Sequence, residues 1–193
     1  MCGIAGLFSP RQPPRREELA AMARALHHRG PDGQGVWHDG PIGLAHARLA
    51  IIDLDGGAQP MASADGRVQL VFNGEIFNYI ELRAELRALG RHFRTDSDTE
   101  VLLQAYQAWG DGFLSRLNGQ FALGLWDAAR QRLLLARDGV GIRPLFWTRM
   151  GERLAFASEA KALFALPAVP RALDPAGLAA SLGWWAPLAP HTA

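Results

Sequence analysis

The chain has one cysteine, Cys2, and one lysine, Lys161, among 193 residues. A single cysteine excludes an internal disulfide framework. No apolar run approaches the roughly 20 residues that span a bilayer. No basic segment followed by an apolar one opens the chain, and Arg11, Pro13, Pro14, Arg15 and Arg16 interrupt it early. These absences predict a soluble, cytoplasmic protein without a membrane partner. A formal net charge of +1 gives no general reason to bind nucleic acid or acidic lipid. The near-exclusive use of Arg among 20 basic residues, beside many alanines, reads as codon bias rather than as a phosphate-binding surface. His27, His28 and His46 are accompanied by no HExxH or CxxC, so they read as structural or solvated, with no metal implied. "GVGIRP" lacks a full phosphate-binding pattern and reads as a turn.

What is present is a globular pattern, 49% apolar, long enough for one domain with a real core. "CGIAGLF" reads as a buried strand. "RREELAAMARALHH" repeats apolar residues at Leu19, Met22, Ala23 and Leu26, a helical period stopped by Gly30 and Pro31. "QGVWHD", "IGLAHARLAIID" and "VQLVFNGEIF" read as strands. "IELRAELRALG" predicts a helix with Leu82, Leu86 and Leu89 on one side and Gly90 as its stop. "SDTEVLLQAYQAWG" predicts another, capped by Ser97 or Asp98 and ended by Gly110. "GQFALGLWD" and "RLLLARD" predict a hairpin turning near "AARQ", and "RPLFWTRM" with "RLAFASE" a second pair across Gly151. Helices and hairpins are grouped rather than alternating. That predicts α+β with antiparallel sheets: two sheets stacked face to face with helices outside, a four-layer α-β-β-α sandwich. Residues 1–166 form the expected domain. Residues 167–193 read as a tail with a short helix near "DPAGLAASL" and apolar Trp184, Trp185 and Leu188, expected to pack on a further domain.

The lone cysteine stands directly behind the initiator. Most lone intracellular cysteines are small buried hydrophobes. Position 2 alters that reading. Its small side chain permits Met1 removal, which would place a thiol and a free α-amine on one residue. An α-amine titrates near pH ~7.7–8.0, so a neutral fraction is available as a base. Nucleophile and base then come from one residue.

The blocks "MCGIAGLF", "HRGPDGQG", "HARLAIIDL", "GAQPM", "FNGEIFNY", "TDSDTEVLLQAY", "LNGQFALGLWD", "LLLARDGVGIRPLF" and "FASEAKAL" occur in this order over about residues 1–165. On these blocks the chain resembles the class II glutamine amidotransferases, which are N-terminal nucleophile hydrolases. Within them it is most similar to the glutaminase half of glutamine-dependent asparagine synthetases. Gly139 stands where the family often has a larger residue.

The resemblance implies hydrolysis of glutamine to glutamate and ammonia by Cys2. It places the glutamine α-carboxylate on Arg48, with Leu49 and the backbone of Ile51 and Ile52 lining the pocket and the isoleucine side chains filling core. It assigns the α-ammonium to Glu75 and Asp98, and the oxyanion to the Asn73 side chain and the Gly74 backbone N–H. Arg29 and Asp32 take supporting roles. Each assignment has a plainer alternative. Arg48 could be a solvated strand-end residue, Asp98 a helix cap, and Asn73-Gly74 a tight hairpin turn.

No cofactor is implied for the glutaminase half. ATP and Mg belong to a synthetase domain whose "SGG-x-DS" loop this chain lacks; that domain is the expected partner, covalent or as a separate chain. Homo-oligomerisation stays open. The ammonia acceptor is expected to be aspartate. The same chemistry could serve a sugar phosphate, a purine precursor or a secondary metabolite, or the module could be catalytically silent.

Overall fold

The structure, a computed structural model, describes residues 1–185, so the expected tail residue Leu188 lies outside it. Along the chain run β1 (Gly3–Phe8), α1 (Arg16–Ala25), β2 (Gly33–Asp39), β3 (Ile42–Arg48), β4 (Met61–Ala62), β5 (Val68–Ile76), α2 (Tyr79–Ala88), α3 (Asp98–Trp109), β6 (Gly119–Asp127), β7 (Arg132–Arg137), β8 (Phe146–Met150), β9 (Arg153–Ala157), α4 (Ala160–Leu163) and α5 (Pro175–Trp184). The strands form two antiparallel sheets, ordered β2-β3-β1-β9-β8 and β4-β5-β6-β7.

Strand periodicity turns these sheets into layers, because successive side chains face opposite ways. In β1, Ala5 and Leu7 pack with Leu19, Met22 and Ala23 of α1 and with Ala162 and Leu163 of α4. Ile4 faces the other way and joins Ile42, Leu44, Val71, Ala122, Trp126 and Phe156 in a core between the sheets. Leu70, Phe72, Leu123 and Leu125 leave the second sheet on its far side and meet Leu82, Leu86, Val101, Leu102 and Ala105 of α2 and α3. Three apolar interfaces between four layers are the predicted α-β-β-α sandwich. The sheets close on one ring. A Cβ at Gly6 would lie 2.3 Å from Phe156 Cε1, and one at Gly124 would lie 2.5 Å from Phe156 Cζ. Glycine at both positions is what lets Phe156 fill the gap.

The helix signals read correctly in the main. Ser97, not Asp98, caps α3, accepting from Thr99 N–H at 3.1 Å. The Asp98 carboxylate is thereby left for other work. Three expectations are corrected. Leu89 is 61% exposed, because α2 ends at Ala88 and the chain turns away at Gly90. The predicted strand over 42–53 stops at Arg48, where the chain leaves the ladder. Ile51 beyond it is 62% exposed and Ile52 half-buried, so these side chains do not fill core. In the tail, Asp174 caps α5, while Trp184 and Trp185 are exposed among the described residues. No helix among these residues is long and apolar enough to cross a membrane.

Candidate active site

Antiparallel pairing of β1 with β3 sets Gly3 against Ala47, so Cys2 arrives beside the end of β3. The neighbouring sheet contributes the C-terminal half of β5, and α3 contributes its first turn. One cavity of about 110 Å³ at this junction is lined by Cys2, Arg48, Leu49, Ile51, Ile52, Asn73, Gly74, Glu75 and Asp98. Sequence positions 2 to 98 thus converge on one concave site.

The plainer readings fail at two residues. Asn73 and Gly74 are no turn. They lie within β5, opposite Ala122 and Phe121 of β6. Parity turns Asn73 and Glu75 toward the first sheet, on the same face as Val71. A Cβ at Gly74 would lie 2.1 Å from the Gln120 carbonyl oxygen, which admits no side chain there. Asn73 is 1% exposed, and its Nδ2 has no hydrogen-bond partner among the described residues. A buried amide donor left unused costs about 1–3 kcal/mol, so a group arriving from the cavity would gain a preplaced partner.

The Cys2 sulfur accepts from Leu49 N–H at 3.4 Å and lies 3.5 Å from the Leu49 carbonyl oxygen. Arg48 directs Nη1 to the Leu54 carbonyl at 2.8 Å and Nη2 to the Asp53 carbonyl at 2.6 Å. These two bonds fix the guanidinium on the cavity wall. No carboxylate is within salt-bridge reach of it among the described residues, so its charge is uncompensated by a direct partner. The Asp53 carboxylate instead accepts from the N–H groups of Gly56 and Asp96, both at 2.8 Å, tying this loop to the entry of α3.

Asp98 is buried and accepts from Ile76 N–H at 3.3 Å. Burial pushes its carboxyl up to about 6; the Ile76 and Thr99 N–H groups act against this, and the neighbouring Glu75 charge adds to it. Two acids, Glu75 and Asp98, and one Arg, Arg48, line the same cavity, so it carries both signs of charge.

Arg29 and Asp32 stand behind the cavity rather than in its wall. Arg29 Nε donates to the Cys2 carbonyl at 2.9 Å, and Asp32 Oδ2 accepts from Ala50 N–H at 2.9 Å. Sequence reasoning missed Gln59 and Arg143, which also line the cavity. Gln59 accepts from Phe72 N–H at 2.6 Å and donates to Thr99 Oγ1 at 3.3 Å, clamping β5 to α3. Its signal lay in the block "GAQPM". Met1 reaches the same cavity, where its sulfur contacts Arg143 Nη1. The "GVGIRP" turn holds as predicted. Asp138 Oδ1 and Oδ2 receive the Ile142 and Arg143 N–H groups, and a Cβ at Gly139 would meet open space. The histidines form no metal-binding group among the described residues. His46 is fully buried with no well-formed hydrogen bond, and burial drives its ring down to about 4.

A family model described as a glutamine amidotransferase domain matches residues 1–193. This chain belongs to that family. The amidotransferase domain is 40% identical over 187 residues to asparagine synthetase [glutamine-hydrolyzing] 3 of Bacillus subtilis, covering 95% of this chain and 30% of that protein. It is 45% identical over 167 residues to asparagine synthetase [glutamine-hydrolyzing] 1 of the same organism, covering 84% and 26%. A putative asparagine synthetase [glutamine-hydrolyzing] of Mycobacterium tuberculosis is 44% identical over 183 residues, covering 86% and 28%. The chain therefore spans less than a third of the length of these relatives.

Among solved structures, the glutamine phosphoribosylpyrophosphate amidotransferase from B. subtilis matches with a TM-score of 0.73 at 24% identity, over 85% of this chain and 43% of that one. A second structure, described as the allosteric regulatory enzyme of purine biosynthesis, matches with a TM-score of 0.72 at 25% identity over the same shares. The fold of the amidotransferase domain is thus of the N-terminal nucleophile hydrolase type. The domain is homologous to the glutaminase part of the asparagine synthetases.

Proposed function

We propose that the amidotransferase domain hydrolyses glutamine to glutamate and ammonia through Cys2, once Met1 is removed. The observation that carries the reading is the buried, unpartnered Asn73 amide in the same cavity as the only thiol. In this reading the Cys2 α-amine takes the thiol proton as the sulfur attacks the glutamine side-chain carbonyl. A C–S bond forms, and the oxyanion receives the Asn73 Nδ2–H and the Gly74 N–H. The protonated amine then returns the proton to the leaving nitrogen, the C–N bond breaks, and ammonia departs. Water then attacks the thioester as the amine takes its proton; a C–O bond forms, the C–S bond breaks, and the proton returns to the sulfur as glutamate leaves.

Arg48 binds the α-carboxylate, and Glu75 with Asp98 binds the α-ammonium; Leu49, Ile51 and Ile52 shape the pocket. Two supports are the uncompensated guanidinium of Arg48 and the destabilised carboxylate of Asp98, each of which an amino acid's own charges would complement. Arg29 and Asp32 hold the segments that carry Cys2 and Leu49.

The acceptor reading follows the relatives' names. Ammonia passes to a synthetase domain, fused or separate, that amidates aspartate. That domain would bring ATP and Mg, and the glutaminase half needs no cofactor of its own. Residues 167–193 lead toward it, and the whole acts in the cytoplasm. Glutamate release by the trimmed chain and by Cys2→Ala tests the core of the proposal. The variant should lose turnover and keep the wild-type melting curve, because truncating a half-exposed cysteine removes little packing. Turnover by Cys2→Ala would end the proposal.

A further inference from the structure

Three segments meet behind the nucleophile: Cys2, the 3₁₀ turn His27–Arg29, and the entry of α4 at Glu159. Arg29 Nε donates to the Cys2 carbonyl oxygen at 2.9 Å, and Arg29 Nη1 donates to Glu159 Oε1 at 2.8 Å. A guanidinium is planar and rigid, so a carboxylate that fixes Nη1 also aims Nε. The Arg29 side chain is 9% exposed and that of Glu159 25%. His28 Nε2 lies 2.9 Å from Glu159 Oε1, and Lys161 Nζ lies 3.0 Å from Glu159 Oε2. Burial opposes ionisation of Glu159, yet the hydrogen bonds from Arg29, His28 and Lys161 prevail and hold its carboxyl down at about 2. The carboxylate is therefore charged throughout the neutral range.

Cys2 lies outside the β1 ladder, whose pairing begins at Gly3. After removal of Met1 no preceding peptide would constrain it. The Arg29 bond is then the hold on its backbone carbonyl, and the direction of that carbonyl sets how thiol and amine face the cavity. Neither Arg29 nor Glu159 lines the cavity itself.

We infer that Glu159 is a positioning residue for the N-terminal nucleophile: through Arg29 it fixes the Cys2 carbonyl and so keeps the thiol on Leu49 N–H and the amine beside it. This rests on the proposed role of Cys2. It extends that role to a residue 157 positions away in sequence, whose carboxylate lies outside the glutamine pocket.

Two readouts on the Met1-trimmed chain test it. The first is glutamate release. Glu159→Ala should lower kcat roughly tenfold or more and leave KM within about twofold, since misplacement of a reacting group acts on the chemical step. Arg29→Ala should do the same, and the double variant should be no worse than the more damaged single one, because the two residues act as one device. Lys161→Met, which strips a cation from Glu159 without touching Arg29, should leave kcat within about twofold.

The second readout is alkylation of the sole thiol by iodoacetamide at pH 7, followed by intact mass. It does not depend on glutamine chemistry. Loss of positioning takes Leu49 N–H from the sulfur, which disfavours the thiolate and slows alkylation severalfold in Glu159→Ala. A purely electrostatic role predicts the opposite, because removing a carboxylate makes the site more positive and favours the thiolate. If alkylation in Glu159→Ala is unchanged or faster, or if Glu159→Ala raises KM at constant kcat, the inference is overturned. Should Glu159→Ala melt early, Glu159→Leu, which fills the space but offers Arg29 no acceptor, takes its place, with the same outcomes. If trimmed wild type releases no glutamate while alkylation still slows in the variant, the proposed function fails and the positioning device stands.

Discussion

Asp98→Asn should stabilise the fold at neutral pH while damaging glutamine binding. Asp98 is 4% exposed, and burial raises its carboxyl from 3.8 to about 6. The sign follows from linkage. A raised carboxyl means that the folded protein binds a proton more tightly than the unfolded chain does. The ionised group therefore destabilises the fold above pH 6, and the cost fades as pH falls toward 4. Displacement from 3.8 to about 6 amounts to about 3 kcal/mol once the group is fully charged. Asparagine keeps an oxygen for Ile76 N–H and carries no charge.

The unfolding free energy of Asp98→Asn minus that of wild type should therefore rise by about 2.5 kcal/mol between pH 4 and pH 8. Taking the difference at each pH cancels His46 and every other shared group that does not interact with Asp98, leaving Asp98 and its neighbour Glu75. Urea melts at four or five pH values supply the numbers. Under the proposed function the same substitution should raise KM for glutamine at pH 8 by roughly tenfold or more, because the ammonium loses a charged acceptor. A stability difference that stays flat from pH 4 to pH 8 would refute the reasoning, since it would mean that Asp98 ionises as freely folded as unfolded.

Arg48→Ala should raise KM for glutamine by roughly 10- to 100-fold, the loss of a charge-assisted pair worth about 1.5–3 kcal/mol, in steady-state assays; an unchanged KM would remove Arg48 from the carboxylate site. His46 is held down at about 4 by burial, so the fold has the full benefit of its neutral ring above pH 6.5 and loses it as pH falls from 6.5 toward 4. His46→Gln should flatten that acid decline by about 3 kcal/mol in urea melts. Gly124→Ala would press a Cβ to 2.5 Å from the Phe156 ring and should cost about 1–3 kcal/mol by thermal melting, with the loss eased when Phe156 is shortened to Leu.

Local periodicity carried most of the fold. The apolar spacing of Leu19, Met22 and Ala23 marked α1, and Ser97 before an acidic first turn marked α3, because those signals act within one or two helical turns. Leu89 misled, since helical spacing does not reveal that the helix has already ended. Asn73-Gly74 was ambiguous for a related reason. The dipeptide favours a turn in isolation, and only pairing with β6 keeps it extended.

The residues that line the cavity stood in the family blocks, but their mutual arrangement was not legible. Cys2 meets Leu49 across 47 positions, and Arg29 meets Glu159 across 130. Contacts at such range leave no periodic trace. Arg143 and Gln59 escaped notice because a loop arginine and a loop glutamine look like ordinary surface until the chain folds them onto the cavity.

The central claim is that Cys2 acts as an N-terminal nucleophile, and it is tested most directly by comparing two forms of one sequence. Glutamate release from glutamine is measured for chain with Met1 removed and for chain with Met1 retained, each form verified by intact mass. The account predicts turnover by the trimmed form and a loss of at least ~100-fold in the retained form, where the amine is acylated and the Met1 side chain stands in the cavity. Equal turnover by both forms would contradict it.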